Sequence, residues 1–188
     1  MEALLDFDRT WFALINHDWT NGVLDWFFPA ITDLHKNPMT VLVVLPLLGF
    51  WIWKKGRTAL HWSLMTIVAI GFSDFLAYRV IKENVQRIRP NKAGIEFQLR
   101  TNDHSGSSFP SNHAANSFAA ATTLSGGLPQ LAPLFYAGAF LIAYSRVYVG
   151  VHYPLDVICG AVFGIAIGAA LRKGYKVYLA KFRVKKKY

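Results

Sequence analysis

Residues Leu155–Leu171 read LDVICGAVFGIAIGAAL, a run whose one charge, Asp156, stands at its start. A helix needs about 20 apolar residues to cross a bilayer, somewhat fewer when flanking residues snorkel. This run fits that length. Gly160, Gly164 and Gly168 recur every fourth residue along it, giving one helical face small residues that permit close helix packing. Packing within one chain is favoured over a dimer seam. Working outward, four more runs qualify: Pro38–Trp53, Ala59–Ile81, Phe109–Leu124 and Ala132–Val149, the first and third of them short. The expectation is an all-α fold, a polytopic membrane helical bundle of about five transmembrane helices in a single domain spanning 1–188. Within it, 1–36 is an interfacial amphipathic segment, 38–171 the transmembrane core and 172–188 a basic cytoplasmic tail.

The composition agrees, with 53% hydrophobic and only 16% charged residues, the apolar ones gathered in blocks. Leu4–Ile15 and Val23–Leu34 mix aromatics with Asp6, Asp8, Arg9, Asp25 and Asp33. Acids so spaced make a poor span, so two helices lying in the interface are expected, with Trp11, Trp19 and Trp26 at headgroup depth. The N-terminus lacks a basic region followed by a long apolar one, so no cleavable signal peptide is expected. The lone Cys159 excludes an internal disulfide and a cysteine zinc site, and reads as core filler.

Charge sets an orientation. Lys54, Lys55 and Arg57 follow the first span, and Arg172, Lys173, Lys176, Lys181, Arg183, Lys185, Lys186 and Lys187 follow the last. The connection between the third and fourth spans, Ser125 to Leu131, is uncharged. These three segments fall on one face, which the positive-inside rule makes cytoplasmic. The net charge of +9 is thereby read as a topology signal and a contact for anionic lipid; no nucleic-acid partner is expected, since no matching fold signature is present.

Three polar clusters then share the opposite face. In the first, Asp74, Tyr78 and Lys82 lie at i, i+4 and i+8 on one helical face, and Arg89 follows, held extended by Pro90. A single cation at a helix end is usually a snorkelling anchor; here its company matters. In the second, Pro110 opens the third span and Ser111, Asn112 and His113 occupy its first turn, where free backbone N–H groups and the helix dipole attract anions. In the third, Pro154 opens the last span. That leaves His152 just outside and Asp156 in the first turn, able to reach back and orient the imidazole as a carboxylate does in a hydrolase triad. Arg146 adds a third cation. Cations at a membrane boundary are costly to desolvate unless an anion or a water-filled cavity receives them, so the set reads as a phosphate site. The polar stretch Glu83–Ser108 is expected as an external loop beside it.

Lys82-x6-Arg89-Pro90, Pro110-Ser111-Asn112-His113 and Ser145-Arg146-x3-Gly150-x-His152-x3-Asp156 together resemble the tripartite signature of the type 2 phosphatidic acid phosphatase superfamily, which also includes glucose-6-phosphatase and vanadium haloperoxidases. The resemblance covers Lys82 to Asp156 and leaves the N-terminal third unaccounted for. It departs at Asn112, where the family usually has glycine. The resemblance implies that His152 attacks phosphorus to form a phosphohistidine while Asp156 orients it. It also implies that His113 protonates the leaving oxygen and later activates water, and that Lys82, Arg89, Ser111, the Asn112 backbone and Arg146 hold the phosphoryl oxygens. It implies no cofactor. No Asp/Glu/His cluster has metal-ligand spacing, so no metal is expected.

A site at the outer boundary favours a lipid phosphate substrate over a soluble one. The family resemblance offers lipid A 1-phosphate, undecaprenyl pyrophosphate, phosphatidylglycerol phosphate and phosphatidic acid, at the outer face of a bacterial inner membrane. Two rival readings remain. A vanadium-dependent oxidase fits poorly with five spans. A non-catalytic lipid-phosphate binder or transporter needs the cations but not His113, His152 and Asp156.

Overall fold

The computed structural model describes residues 2–34 and 37–185, with side chains to residue 181. Lys186 and Lys187 of the expected tail lie outside the described residues. Helix makes up 79% of the structure, with no strand among the described residues. The helices are α1 (Glu2–Ala13), α2 (Gly22–Thr32), α3 (Pro38–Lys55), α4 (Arg57–Phe75), α5 (Asn112–Gly127), α6 (Ala132–Tyr148) and α7 (Pro154–Lys185). α1 and α4 each continue in a π-helical stretch, Leu14–Asp18 and Leu76–Lys82.

Four helical segments are long and apolar enough to cross a membrane: Pro38–Lys55, Arg57–Lys82, Pro129–Tyr148 and Pro154–Lys181. The remaining expected span, Phe109–Leu124, appears as α5, which begins at Asn112 and has 16 residues. α5 is the central helix, packed against α4, α6 and α7. A helix enclosed by its neighbours has little lipid to face, and its buried positions are small: Ala114, Ala115, Ala119, Ala121, Thr122, Thr123 and Ser125. It still runs the depth of the bundle, about 24 Å at 1.5 Å per residue. At its start Ser111 donates its N–H to the Asp156 carbonyl (2.9 Å). At its end Gly126 and Gly127 lie against Trp62 near the start of α4. α3 buries none of its residues, so its apolar side chains are left for lipid.

The glycine stripe of α7 packs against α5 of the same chain. A methyl group on Gly160 would come within 2.6 Å of the Ser111 carbonyl oxygen, and on Gly164 within 2.1 Å of that of Ala115. The backbones therefore touch where any side chain would separate them. Helix α7 does not stop at Leu171 but continues through the stretch expected as a tail. There Arg172 donates to the Thr122 carbonyl (3.1 Å) and Tyr175 meets His61 (3.1 Å). The basic ends of α3, α4 and α7 thus gather at one end of the bundle, and the three motifs at the other.

At the motif end α1 and α2 pack on α6 and α7. Phe12, Ile15, Phe28, Val147, Tyr148 and Tyr153 form one buried apolar cluster there. Asn16 is buried and bonds the Gln98 and Tyr148 carbonyls (both 2.8 Å). It thereby ties the N-terminal segment to the α6–α7 turn. That turn needs Gly150, whose φ of 87° is unfavourable for other residues. Trp11, Trp19 and Trp26 remain exposed.

Candidate active site

α4, α5, α6 and α7 each bring one end to a cavity of about 400 Å³, lined by Lys82, Arg89, Asn112, His113, Arg146 and His152 together with Tyr78, Glu83 and the loop residues 104–107. Six of the eight residues singled out from the sequence therefore face one space. The other two stand behind it. Ser111, fully buried, caps α5 by accepting from the Ala114 N–H at 3.5 Å, so the helix begins two residues later than Pro110. Asp156, also fully buried, lies under His152.

Asp156 occupies the third position of α7, where a carboxylate can reach back to the preceding backbone. Its Oδ2 accepts from the Tyr153 N–H (2.9 Å) and lies 3.5 Å from His152 Nδ1. On the far side of the ring, Arg89 Nη1 stands 3.3 Å from His152 Nε2. A guanidinium can only donate, so Nε2 must present a lone pair and the ring proton belongs on Nδ1, toward Asp156. The neighbours thus assign the tautomer. Burial pushes the His152 pKa down to about 3, with the Asp156 carboxylate only partly offsetting it. The ring is neutral at ordinary pH, with its free lone pair aimed at the cationic side of the cavity.

The cations are themselves held. Arg89 donates to the Gly106, Ser107 and Val151 carbonyls at 2.9 to 3.1 Å, and Lys82 donates to the Ser107 carbonyl at 2.9 Å. Burial lowers the Arg89 pKa, opposed by Asp156 and Asp103. Arg146, 1% exposed, donates to Thr32 Oγ1 (2.6 Å), and its Nη2 meets His104 Nε2 at 3.3 Å. The Arg146 Nε–H has no acceptor among the described residues. Three cations against one lining carboxylate, Glu83, make the cavity a receptor for a multiply charged oxyanion. Among the described residues no group of His, Cys, Asp and Glu is arranged to hold a metal ion.

The Asn112 side chain donates its Nδ2 to Asp74 Oδ1 (2.8 Å). Asn112 and His113 also line a second, larger and mainly apolar cavity of about 640 Å³ between α2, α4, α5 and α6. The polar and apolar spaces therefore adjoin at His113.

Four residues that sequence reading passed over complete the site. Arg87 donates Nη1 to Asp156 Oδ1 (2.6 Å) and Nη2 to Asp8 Oδ2, with its guanidinium 4.3 Å from the Tyr153 ring. Asp8, 1% exposed, also accepts the Leu155 N–H (2.8 Å). Burial works against the charge on Arg87, but Asp156 and Asp8 outweigh it and raise its pKa above the usual guanidinium value. Thr32 of α2 and His104 of the loop hold Arg146. Nothing local distinguishes Arg87 from Arg79 or Lys92, and Asp8 reads from the sequence only as one acid of an interfacial helix, though the structure buries it.

The PAP2 superfamily model matches residues 58–178. The crystal structure of Aquifex aeolicus LpxE superposes with a TM-score of 0.72 at 32% identity, covering 88% of this chain and 94% of that one. An undecaprenyl-diphosphatase from Sulfolobus acidocaldarius is 48% identical over 87% of this chain and 76% of its own length. A lipid A 4′-phosphatase from Bacteroides thetaiotaomicron is 31% identical over 74% of this chain; the match spans 64% of that protein, under two thirds of its length.

Proposed function

Because the chain belongs to the PAP2 superfamily, we propose that it hydrolyses the phosphate ester or pyrophosphate of a membrane lipid, without metal, through a phosphohistidine on His152. The observation that carries this reading is the junction of a cationic, histidine-bearing cavity with an apolar one at His113. The first suits a phosphoryl group and the second the hydrocarbon attached to it. A soluble phosphate would need only the first.

In the chemistry proposed, the His152 Nε2 lone pair attacks phosphorus as the phosphorus–oxygen bond to the lipid breaks. The bonding pair leaves with the lipid oxygen, which takes a proton from His113. Water then attacks the phosphohistidine, giving a proton to His113 as the phosphorus–nitrogen bond breaks, and phosphate departs. Lys82, Arg89 and Arg146 stabilise the charge that gathers on the phosphoryl oxygens. Arg89 must shift its Nη1 from Nε2 to a phosphoryl oxygen as substrate enters, which exchanges a neutral acceptor for an anionic one. Asp156 keeps the proton on Nδ1 and stabilises the positive charge that develops on the ring.

The positive-inside rule supports placing the motif end on the periplasmic or exterior face. The lipid would then be met in the outer leaflet of a bacterial plasma membrane. The test is phosphate release from phosphatidic acid, phosphatidylglycerol phosphate, lipid A and undecaprenyl pyrophosphate by purified protein in detergent containing a chelator. Turnover of at least one lipid phosphate is expected, and its loss in His152→Ala. Activity that vanishes in chelator and returns with magnesium would overturn the proposal.

A further inference from the structure

Asp74 is a carboxylate within a membrane-spanning helix, the kind of residue that is rare there and generally marks a site. It sits in the last turn of α4, before the π-helical stretch that leads to Lys82, and it lines the apolar cavity next to His113. Its Oδ1 is fixed by two amides of α5, Asn112 Nδ2 at 2.8 Å and Asn116 Nδ2 at 3.1 Å. A carboxylate accepts only, so both asparagines must turn their NH₂ groups toward it. Their own carbonyl oxygens are left buried without a partner, which is unfavourable in a protein interior. Oδ2 of Asp74 has no hydrogen-bond partner among the described residues. Two donors are thus committed to Oδ1, which leaves Oδ2 as an open acceptor on the cavity that His113 also lines.

We propose that Asp74 Oδ2 is a specificity subsite that accepts a hydrogen bond from a hydroxyl or amide N–H borne by the leaving lipid within a few atoms of the scissile phosphate. This rests on the lipid phosphatase reading above and narrows it. A sugar or sphingoid alcohol, or a glycerol with a free hydroxyl, carries such a donor. A polyprenol offers none, and the ester carbonyls of a diacylglycerol present acceptors to an acceptor. Loss of one hydrogen bond to an ionised group discriminates by roughly tenfold or more.

The test uses a matched pair, 1-oleoyl lysophosphatidic acid and its 2-deoxy analogue, which differ by one hydroxyl, with farnesyl monophosphate as a further donor-free substrate. The wild-type ratio of kcat/KM, hydroxyl-bearing over deoxy, is expected to be at least about 10, falling to below about 3 in Asp74→Leu. Asp74→Asn keeps the side-chain volume and is read the same way should the leucine variant fail to fold. A wild-type ratio near 1, or a ratio unchanged in both variants, overturns the subsite while leaving the phosphatase reading intact. Hydrolysis of none of the three by a wild type that releases phosphate from a lipid of the panel above overturns the subsite alone, and hydrolysis of no lipid in either set overturns both.

Discussion

Removing Asp8 tests whether α1 belongs to the catalytic assembly rather than merely lying on the membrane beside it. Asp8→Ala deletes two interactions at once: the ion pair with Arg87 and the bond from the Leu155 N–H in the first turn of α7. The second resembles a lost helix cap, about 1 kcal/mol. Breaking a buried pair costs about 3–5 kcal/mol; Arg87 is 21% exposed and keeps Asp156, so the low end, about 3 kcal/mol, applies. The sum is about 4 kcal/mol, which at about 2–4 °C per kcal/mol for a chain of this size lowers Tm by about 8–16 °C in detergent. Arg87→Ala leaves Asp8 and Asp156 buried without their shared cation and costs at least as much. In the double variant the losses should fall short of additivity by about 1–3 kcal/mol. Because Arg87 also positions Asp156, kcat in Asp8→Ala should drop by roughly 10–100-fold with KM little changed, as small misplacements of catalytic groups do. Additive stability losses together with an unchanged kcat would refute the linkage from α1 to the nucleophile.

Asp156→Asn should lower kcat on the order of 10⁴-fold, as in triads whose orienting carboxylate is neutralised; a loss below about tenfold would reduce Asp156 to a helix-capping residue. Folded His152 has its pKa near 3 against 6.5 unfolded, so the unfolded chain binds the extra proton as pH falls below 6.5. Wild-type stability should therefore decline over that window by up to about 1.4 kcal/mol per pH unit. His152→Ala should lack that share of the slope, and identical Tm-against-pH curves would contradict the burial of a neutral ring. In a Cys159→Ala background, Ser107→Cys should react with an impermeant thiol reagent outside intact cells and Lys173→Cys only after lysis; the reverse pattern overturns the sidedness.

The spans that face lipid were legible because lipid contact demands apolar side chains, as α3 and α7 show. α5 was legible only as a short apolar run opened by its motif, because an enclosed helix is selected for close approach, and its buried positions are small rather than strongly apolar. His113, His152, Asp156, Lys82 and Arg146 could be assembled from spacing, since each lies at or beside a helix end on one face; Arg89, in the loop beyond, joined them through its motif. Asp8 and Arg87 could not. Their pairing joins residues 79 positions apart through a helix docked on the outside of the bundle, and no periodicity records that. Nor did the sequence show what the side chain of Asn112 does: the phosphate contact expected there is the backbone's, and the side chain bonds Asp74.

The bare contact between α5 and α7 has a mechanical consequence. Ser111 touches Asp156 and Gly160 through backbone atoms, with no side chain between to flex. The start of α5, carrying His113, and the start of α7, carrying Asp156, therefore behave as one fixed jaw whose gauge a bulky substrate cannot widen. Any yielding must come from the opposing jaw: α4, whose π-helical stretch leads to Lys82, and the loop that presents the backbone carbonyls to Arg89. Differences in tolerance for lipid size among such enzymes should then trace to residues 76–107, with the seam between α5 and α7 left unaltered.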